Sequence, residues 1–347
     1  MAQELTPVLG VLPPAAGALE PFEQWYETVT PAEQKLAIEN FLKVEGVPLR
    51  AGCPLARWLD VLEEADHAHR NQTRFVTAMD DPNQRKAHDL IEARRLAWSF
   101  CALYAPGRRR PEVDRSFITD QLLAADDLGE PDPTLRMPGG TFIMHFAARL
   151  QQAEEGRIRI CGAGSQGVDL IYRHPTNGGV ALIEHKERAY YKSRHRDLES
   201  LVRDVRSRVF AAAEGLQAVT NPPRGPDGNP VRTPLIGARI VVVGTSPTNE
   251  VAREFYDVRA PGDHSVMAKV MSRCERELAA RGPSYSPHAM LVFCMAHDIE
   301  PTTMVSAALG RFINFGLIGG DACDEHWKLV GPVFQKSIPR DPARPAS

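Results

Sequence analysis

Apolar residues recur at intervals of three and four along residues 21–104, which is the spacing of one face of an α-helix. Thr30 and Glu33 have the spacing of a capping box around a proline at the first helical position, and Gly46 follows the last periodic residue. The pattern predicts a helix between these signals and two further helices over residues 55–69 and 84–103.

From residue 140 onward the pattern alternates between helical periodicity and short strand-like runs. It predicts helices over residues 142–152, 197–219 and 265–281, and strands over residues 157–161, 168–173, 180–187, 238–244 and 289–296. We also expect a buried helix over residues 304–317. Residues 131–140 are rich in proline and glycine, as is typical of a linker. The chain is thus predicted to have an N-terminal α-helical domain over residues 1–135 and an α/β domain over residues 136–338.

The composition is that of an ordinary globular protein, with 43% hydrophobic and 24% charged residues. The best candidate for a membrane span, residues 304–320, is interrupted by Arg311 and Asn314, so we predict no contact with a membrane. The first residues lack a secretion signal, and the six cysteines include no C-x-x-C pair, which favours free thiols and a cytoplasmic location. The net charge of −3 excludes a globally basic nucleic-acid coat but allows a local basic groove.

Residues 162–167 match G-x-G-x-x-G, the glycine pattern of dinucleotide-binding loops, and Glu184 lies near the spacing of a ribose ligand. Such a site requires a helix to begin at the loop, because the helix N-terminus binds the pyrophosphate. Here residues 168–173 have the pattern of a strand, and a turn follows them. We therefore interpret the glycines as a tight connection between two antiparallel strands.

Two carboxylates and a lysine are predicted to converge on neighbouring strands. Asp169 lies in one strand, and Glu184 and Lys186 lie two residues apart in the next, so both project from the same face. If the strands pair, Asp169 can face Glu184 across the ladder. Two close carboxylates suit Mg²⁺ or Mn²⁺, with the backbone carbonyl of His185 as a third oxygen, and Lys186 can assist at a phosphate or a hydroxide. The same spacing also fits a surface salt bridge on a hairpin.

This set of residues, with the order of elements around it, resembles the PD-(D/E)xK nuclease superfamily and its restriction-endonuclease-like fold. The resemblance covers residues 139–220, where a helix, a three-stranded meander and a second helix follow in order, and a G-V-D step leads into Asp169. It implies an α/β fold with a mixed sheet flanked by helices. It further implies that Asp169 and Glu184 bind the metal and that Lys186 assists catalysis.

Many members of that superfamily carry a further acid in the helix before the meander. The middle of that helix is here occupied by Ile143-Met144-His145, and the nearest acids are Glu154 and Glu155 at its C-terminal end. Either of them is a candidate for the additional acid, or that ligand is missing. The number of metal ions, one or two, is left open by this departure.

A basic stretch follows the motif. Eight basic and four acidic residues lie from Lys186 to Arg208, a local charge of +4 in a chain of net charge −3. Such a stretch suits a polyphosphate backbone, particularly where aromatic side chains lie within it. The helix over residues 197–219 accounts for part of this charge as a solvated face. The candidates for contact with nucleic acid are Lys192, Arg194, Arg196 and Tyr191.

Together these features predict a Mg²⁺- or Mn²⁺-dependent endonuclease that hydrolyses phosphodiester bonds, of DNA rather than RNA by the resemblance. Its setting would be restriction or another antiviral defence, or an antibacterial toxin, and the sequence does not separate these. The alternative is a catalytically inactive nuclease-fold module that binds nucleic acid or a protein partner, with the N-terminal helical domain as its docking surface. The resemblance also allows a homodimer.

Overall fold

A computed structural model gives the fold of the chain. It describes residues 25, 28–49, 52–73, 75, 81–123, 140–162, 168–187, 196–225, 228–245, 247, 249–256, 265–297, 310–319 and 325–337. Within these residues the helices of eight or more residues are α1 (Pro31–Glu45), α2 (Pro54–Arg70), α3 (Asp81–Leu103), α4 (Gly140–Ala153), α5 (Leu198–Thr220), α6 (Asn249–Tyr256), α7 (Val266–Arg281) and α8 (Glu325–Ser337). The strands are β1 (Glu112–Val113), β2 (Arg157–Ile160), β3 (Leu170–Arg173), β4 (Val180–Glu187), β5 (Ala238–Thr245), β6 (Ala289–His297) and β7 (Gly310–Gly319).

The helix ends follow local chemistry that the sequence already indicates. The Thr30 side chain accepts the backbone N–H of Glu33, and the Glu33 carboxylate accepts the backbone N–H of Thr30 at 2.8 Å, which completes the capping box of α1. Gly46 ends this helix with a φ of 64°, a left-handed conformation that favours glycine. At the start of α5, the Asp197 carboxylate accepts the N–H of Ser200 at 2.7 Å. The predicted start of α1 and the predicted bounds of α5, to within a residue, are therefore confirmed.

The strands form one seven-stranded mixed sheet in the order β1-β2-β3-β4-β5-β6-β7. β2, β3 and β4 are an antiparallel meander, β4, β5 and β6 run parallel, and β7 is antiparallel to β6. Parallel neighbours require a crossover, and α5 connects β4 to β5 while α6 and α7 lie between β5 and β6 in the chain. The chain is therefore an α/β protein with a mixed sheet and flanking helices.

Helices cover both faces of the sheet, and each face has its own hydrophobic cluster. The first cluster joins α1–α4 and α8 to the sheet, and its members include Phe41, Phe146 and Ile183. The second joins α5 and α7 to the opposite face and includes Leu182 and Val209. Because successive side chains of a strand point to opposite faces, the odd-numbered residues of β4 face the first cluster and the even-numbered residues face the second. This alternation decides where the polar residues later in β4 point.

The predicted buried helix over residues 304–317 is wrong over its second half. Residues 310–319 form β7, which pairs antiparallel with β6 from Ala289 opposite Gly319 onward. Short apolar runs do not distinguish a buried helix from a buried strand, so the available partner strand decides between them. Two further elements, β1 and α6, were not expected from the sequence pattern.

The predicted boundary between the regions 1–135 and 136–338 falls within residues 124–139, outside the described residues. β1, which precedes this boundary, pairs in parallel with β2. The first hydrophobic cluster also contains side chains from both regions, for example Phe41 and Phe146. The division into two domains stays a prediction. In the described part of the chain, no helix is both long enough and apolar enough to cross a membrane.

Candidate active site

The β3–β4 hairpin positions the two predicted carboxylates. The ladder ends with Leu170 opposite Ile183. Asp169, one residue before β3, donates its N–H to the carbonyl of the same Ile183 at 3.0 Å, so the regular register stops there. The carbonyl of Asp169 accepts the N–H of Cys161 at 2.9 Å, which ties it to the end of β2 as well. Asp169 therefore lies beside Glu184 at this end of the hairpin, close enough for its charge to act on the Glu184 carboxyl group.

Two further contacts join the carboxylates to β4. The Asp169 Oδ2 atom accepts the backbone N–H of His185 at 2.7 Å. Lys186 donates from its ammonium to Glu184 Oε1 at 2.6 Å, and the lysine side chain is 37% exposed while that of Glu184 is 5% exposed. The structure thus brings Asp169, Glu184 and Lys186 together, with the lysine on the solvent side of a buried carboxylate.

Glu184 lies against helix α5 at a glycine. A Cβ atom added at Gly215 would lie 3.1 Å from Glu184 Oε1. Any other residue at this position would crowd the carboxylate against the sheet, so Gly215 makes room for Glu184. The sequence pattern offers no signal for this contact, since Gly215 and Glu184 lie in different elements.

The pKa values of both carboxyl groups are raised. Burial raises the pKa of Asp169, and the N–H of His185 and the charge of Lys186 partly offset this. Burial and then the charge of Asp169 raise the pKa of Glu184 from its ordinary 4.5 to about 8, against the opposing effect of Lys186. One lysine therefore does not compensate two buried carboxylates, and Glu184 holds a proton at neutral pH when no further cation is present.

The donor set fits a divalent metal ion. Glu184 Oε2 is buried and has no hydrogen-bond partner among the described residues. An unpartnered carboxylate oxygen beside a second carboxylate is the type of ligand pair that Mg²⁺ and Mn²⁺ bind. Within the described part of the chain, no group of three or more His, Cys, Asp or Glu side chains is placed to hold a metal. Among the described residues, the ligands beyond the two carboxylates would therefore be backbone carbonyls, with water completing the set.

The side chain of His185 points to the opposite face of the sheet. Its ring stacks on Phe142 of α4 with centroids 4.4 Å apart and planes at 9°, and the Arg95 guanidinium lies 5.5 Å from the centre of the Phe142 ring. Burial and the nearby cations Lys186, Arg95 and Arg208 lower its pKa to about 3, so the ring is neutral. Only the backbone of His185 contacts the carboxylate pair, which agrees with a ligand role for its carbonyl and not for its ring.

Glu154 and Glu155 are not near this pair, which corrects the expectation that either supplies an additional acid. Glu154 Oε1 lies 2.8 Å from His174 Nε2, and Glu155 accepts the backbone N–H of Arg109 at 3.1 Å. His174 follows the last residue of β3, whereas Asp169 precedes the first. Asp169 and His174 are five residues apart, so at about 3.3 Å per strand residue they are separated by roughly 17 Å, too far for a shared metal.

The predicted contacts with nucleic acid fall mostly outside the described residues. This applies to Lys192, Arg194 and Tyr191, while Arg196 is described and exposed just before α5. Their role stays a prediction. The exposed arginines of β2 and β3 were not among these candidates. The alternation of Arg157 and Arg159 with isoleucines predicts a half-exposed strand, and the structure confirms it, with both arginines exposed and both isoleucines buried.

Comparison with known proteins gives no relative: no family model, no curated protein and no solved structure matches the chain. The function must therefore be argued from the site itself, since a fold class hosts many unrelated activities.

Proposed function

We propose that this protein is a metal-dependent endonuclease with a restriction-endonuclease-like fold, and that it hydrolyses phosphodiester bonds of DNA. The single observation that carries the proposal is the proximity of Asp169 to the buried Glu184 at the end of the β3–β4 hairpin, with Asp169 accepting the N–H of His185 and Lys186 bonded to Glu184. A surface salt bridge on a hairpin, the simpler interpretation, does not account for a 5% exposed glutamate with an unpartnered oxygen.

Asp169 and Glu184 would hold Mg²⁺ or Mn²⁺, whose chemistry is to acidify a bound water and to neutralise charge on a phosphate. The N–H of His185 fixes the orientation of the Asp169 carboxylate, so one of its oxygens is already directed. The half-exposed ammonium of Lys186 can donate to a phosphate oxygen while it contacts Glu184, and charge stabilisation of this kind acts most strongly in the transition state.

The order of elements supports the same proposal. α4, the β2–β3–β4 meander, α5 and β5 follow one another as the resemblance implies. Cys53, Cys101, Cys161 and Cys274 are buried free thiols, which suits the cytoplasmic setting that we propose for the activity. Antiviral defence and an antibacterial toxin remain the two settings of such an activity.

A catalytically inactive module that binds nucleic acid or a protein partner is the second candidate. It is favoured by the middle of α4, where Ile143, Met144 and His145 are buried and an additional acid is not present. A site with two carboxylates binds a cation less tightly than a site with three. A catalytically inactive module would tolerate this weaker binding of the cation.

A cleavage assay separates the two candidates. Plasmid DNA is incubated with Mg²⁺ or Mn²⁺ and with the wild type or the variants Asp169→Asn, Glu184→Gln and Lys186→Met. We expect the carboxylate variants to be inactive and the lysine variant to lose roughly 100-fold in rate. Glu199→Gln, which removes an exposed carboxylate at the start of α5, is the matched control and should cleave normally.

Cleavage that is unchanged in all three site variants would refute the catalytic assignment. If the wild type binds DNA but cleaves neither DNA nor RNA with either metal, the inactive module is the correct interpretation. Circular dichroism spectra of the variants should match the wild type, which excludes loss of fold as the cause.

A further inference from the structure

Two arginines oppose each other directly on the β2–β3 ladder. The register pairs Arg157 with Arg173, and both side chains are exposed. Like charges in this position destabilise a sheet. The compensation is weak, since Arg157 approaches Glu112 only to 3.9 Å and the guanidinium of Arg173 forms no ion pair with a described residue. This arrangement costs stability in the isolated protein, and a bound anion would relieve that cost.

The same arginines lie on the face of the sheet that carries the candidate active site. Arg173 pairs with Val180, whose side chain lies on the same face of β4 as that of Glu184, so Arg173 and its partner Arg157 project from that face. Asp169 lies four residues before Arg173 along the chain. The separation along β3 is roughly 13 Å. This equals about four base-pair steps of a DNA duplex at 3.4 Å each.

A cleft of about 590 Å³ lies at this end of the sheet, and Arg109 joins the two arginines in its lining. Glu155 is the acidic residue of the lining, and it already accepts the backbone N–H of Arg109. His174, also in the lining, is bonded to Glu154. The guanidinium groups of Arg109, Arg157 and Arg173 therefore dominate the charge of the cleft.

We propose that Arg109, Arg157 and Arg173 bind the phosphates of a DNA strand that extends from the Asp169–Glu184 pair across the open face of β2 and β3. Guanidinium groups bind phosphate oxygens in a bidentate manner, and three of them around one cleft match the charge of successive phosphates. The identity of the strand as substrate rests on the proposed nuclease function, whereas the binding itself does not require cleavage.

The test measures DNA binding without metal, so that no cleavage occurs. Fluorescence anisotropy with a 30-base-pair duplex in EDTA gives the dissociation constant of the wild type and of the double variant Arg157→Gln/Arg173→Gln at several salt concentrations. The loss of two phosphate contacts should lower the slope of log K against log[salt] by about 1.8. Between 50 and 200 mM salt, the wild type should then lose about tenfold more affinity than the variant.

The matched control is Arg273→Gln/Arg276→Gln, which removes two exposed arginines from α7. Its salt slope should equal that of the wild type. The cleft variant should fold at least as stably as the wild type in a thermal melt, because it removes the opposed like charges. A cleft variant with the wild-type salt slope, or with the slope of the α7 control, overturns the inference.

The outcomes for binding and cleavage are independent. If the cleft variant loses salt-dependent binding while the wild type cleaves nothing with Mg²⁺ or Mn²⁺, the proposed nuclease function fails and the phosphate-binding cleft stands. If Glu184→Gln abolishes cleavage while the cleft variant binds like the wild type, the nuclease function stands and the cleft assignment fails.

Discussion

Replacing Glu184 by glutamine should change how the stability of the metal-free protein depends on pH. The pKa of Glu184 is about 8 in the folded protein against an ordinary 4.5. The folded state thus binds a proton between these values that the unfolded chain releases. The free energy of unfolding has its full value below pH 4.5. It falls by about 1.4 kcal/mol per pH unit as the pH rises to about 8. At pH 7 the free energy of unfolding is about 3 kcal/mol lower than below pH 4.5, and this decrease should be absent in the glutamine variant.

Urea denaturation in EDTA at pH 5, 6, 7 and 8 measures this difference. The glutamine keeps the size of the side chain and an oxygen that accepts a hydrogen bond from the Lys186 ammonium. Its amide introduces a constant offset, because a buried donor without a partner costs about 1–3 kcal/mol at every pH. The prediction therefore concerns the slope: the free energy of unfolding of the variant minus that of the wild type should rise from pH 5 to pH 8.

Glu199→Gln is the control for this measurement, since it removes an exposed carboxylate from the same helix–strand unit. It should follow the pH profile of the wild type. Mg²⁺ or Mn²⁺ should stabilise the wild type at pH 7 and leave Glu184→Gln unaffected, because a ligand that binds only the folded state adds to its stability. A difference between variant and wild type that stays constant over pH 5–8 would refute the reasoning about the buried carboxylate.

Two further substitutions test the surroundings of the site. Gly215→Ala places a Cβ 3.1 Å from Glu184 Oε1, so we expect a loss of Mn²⁺ affinity in calorimetric titration. Thermal stability should not fall, because alanine favours the helix by up to about 1 kcal/mol. An unchanged Mn²⁺ affinity would contradict the contact between Gly215 and Glu184. His185→Phe keeps the stack on Phe142 and the backbone N–H to Asp169, so cleavage and melting temperature should stay near the wild type. A tenfold or larger loss of rate would instead assign a direct role to the imidazole.

The strands around the site were predictable because their signals are local. The apolar run ending in Glu-His-Lys predicts a strand over residues 180–187, and β4 has those bounds. The turn at residues 174–179 pairs Arg173 with Val180 and Leu170 with Ile183, so counting residues along the hairpin brings Asp169 close to Glu184. The same counting did not reveal Arg157 opposite Arg173, since the length of the connection between β2 and β3 leaves the register open.

By itself, the amino-acid sequence determined the features that depend on near neighbours: the caps of α1 and α5, the period of each helix, and the face of β4 from which Glu184 and Lys186 project. Only the tertiary structure decided that residues 310–319 are a strand, that Gly215 lies against Glu184, and that Glu154 and Glu155 lie at the far end of β3. These features depend on the pairing of segments that are distant along the chain. The free energy that selects each pairing comes from apolar surface that the two segments bury against each other, so it cannot be read from either segment alone.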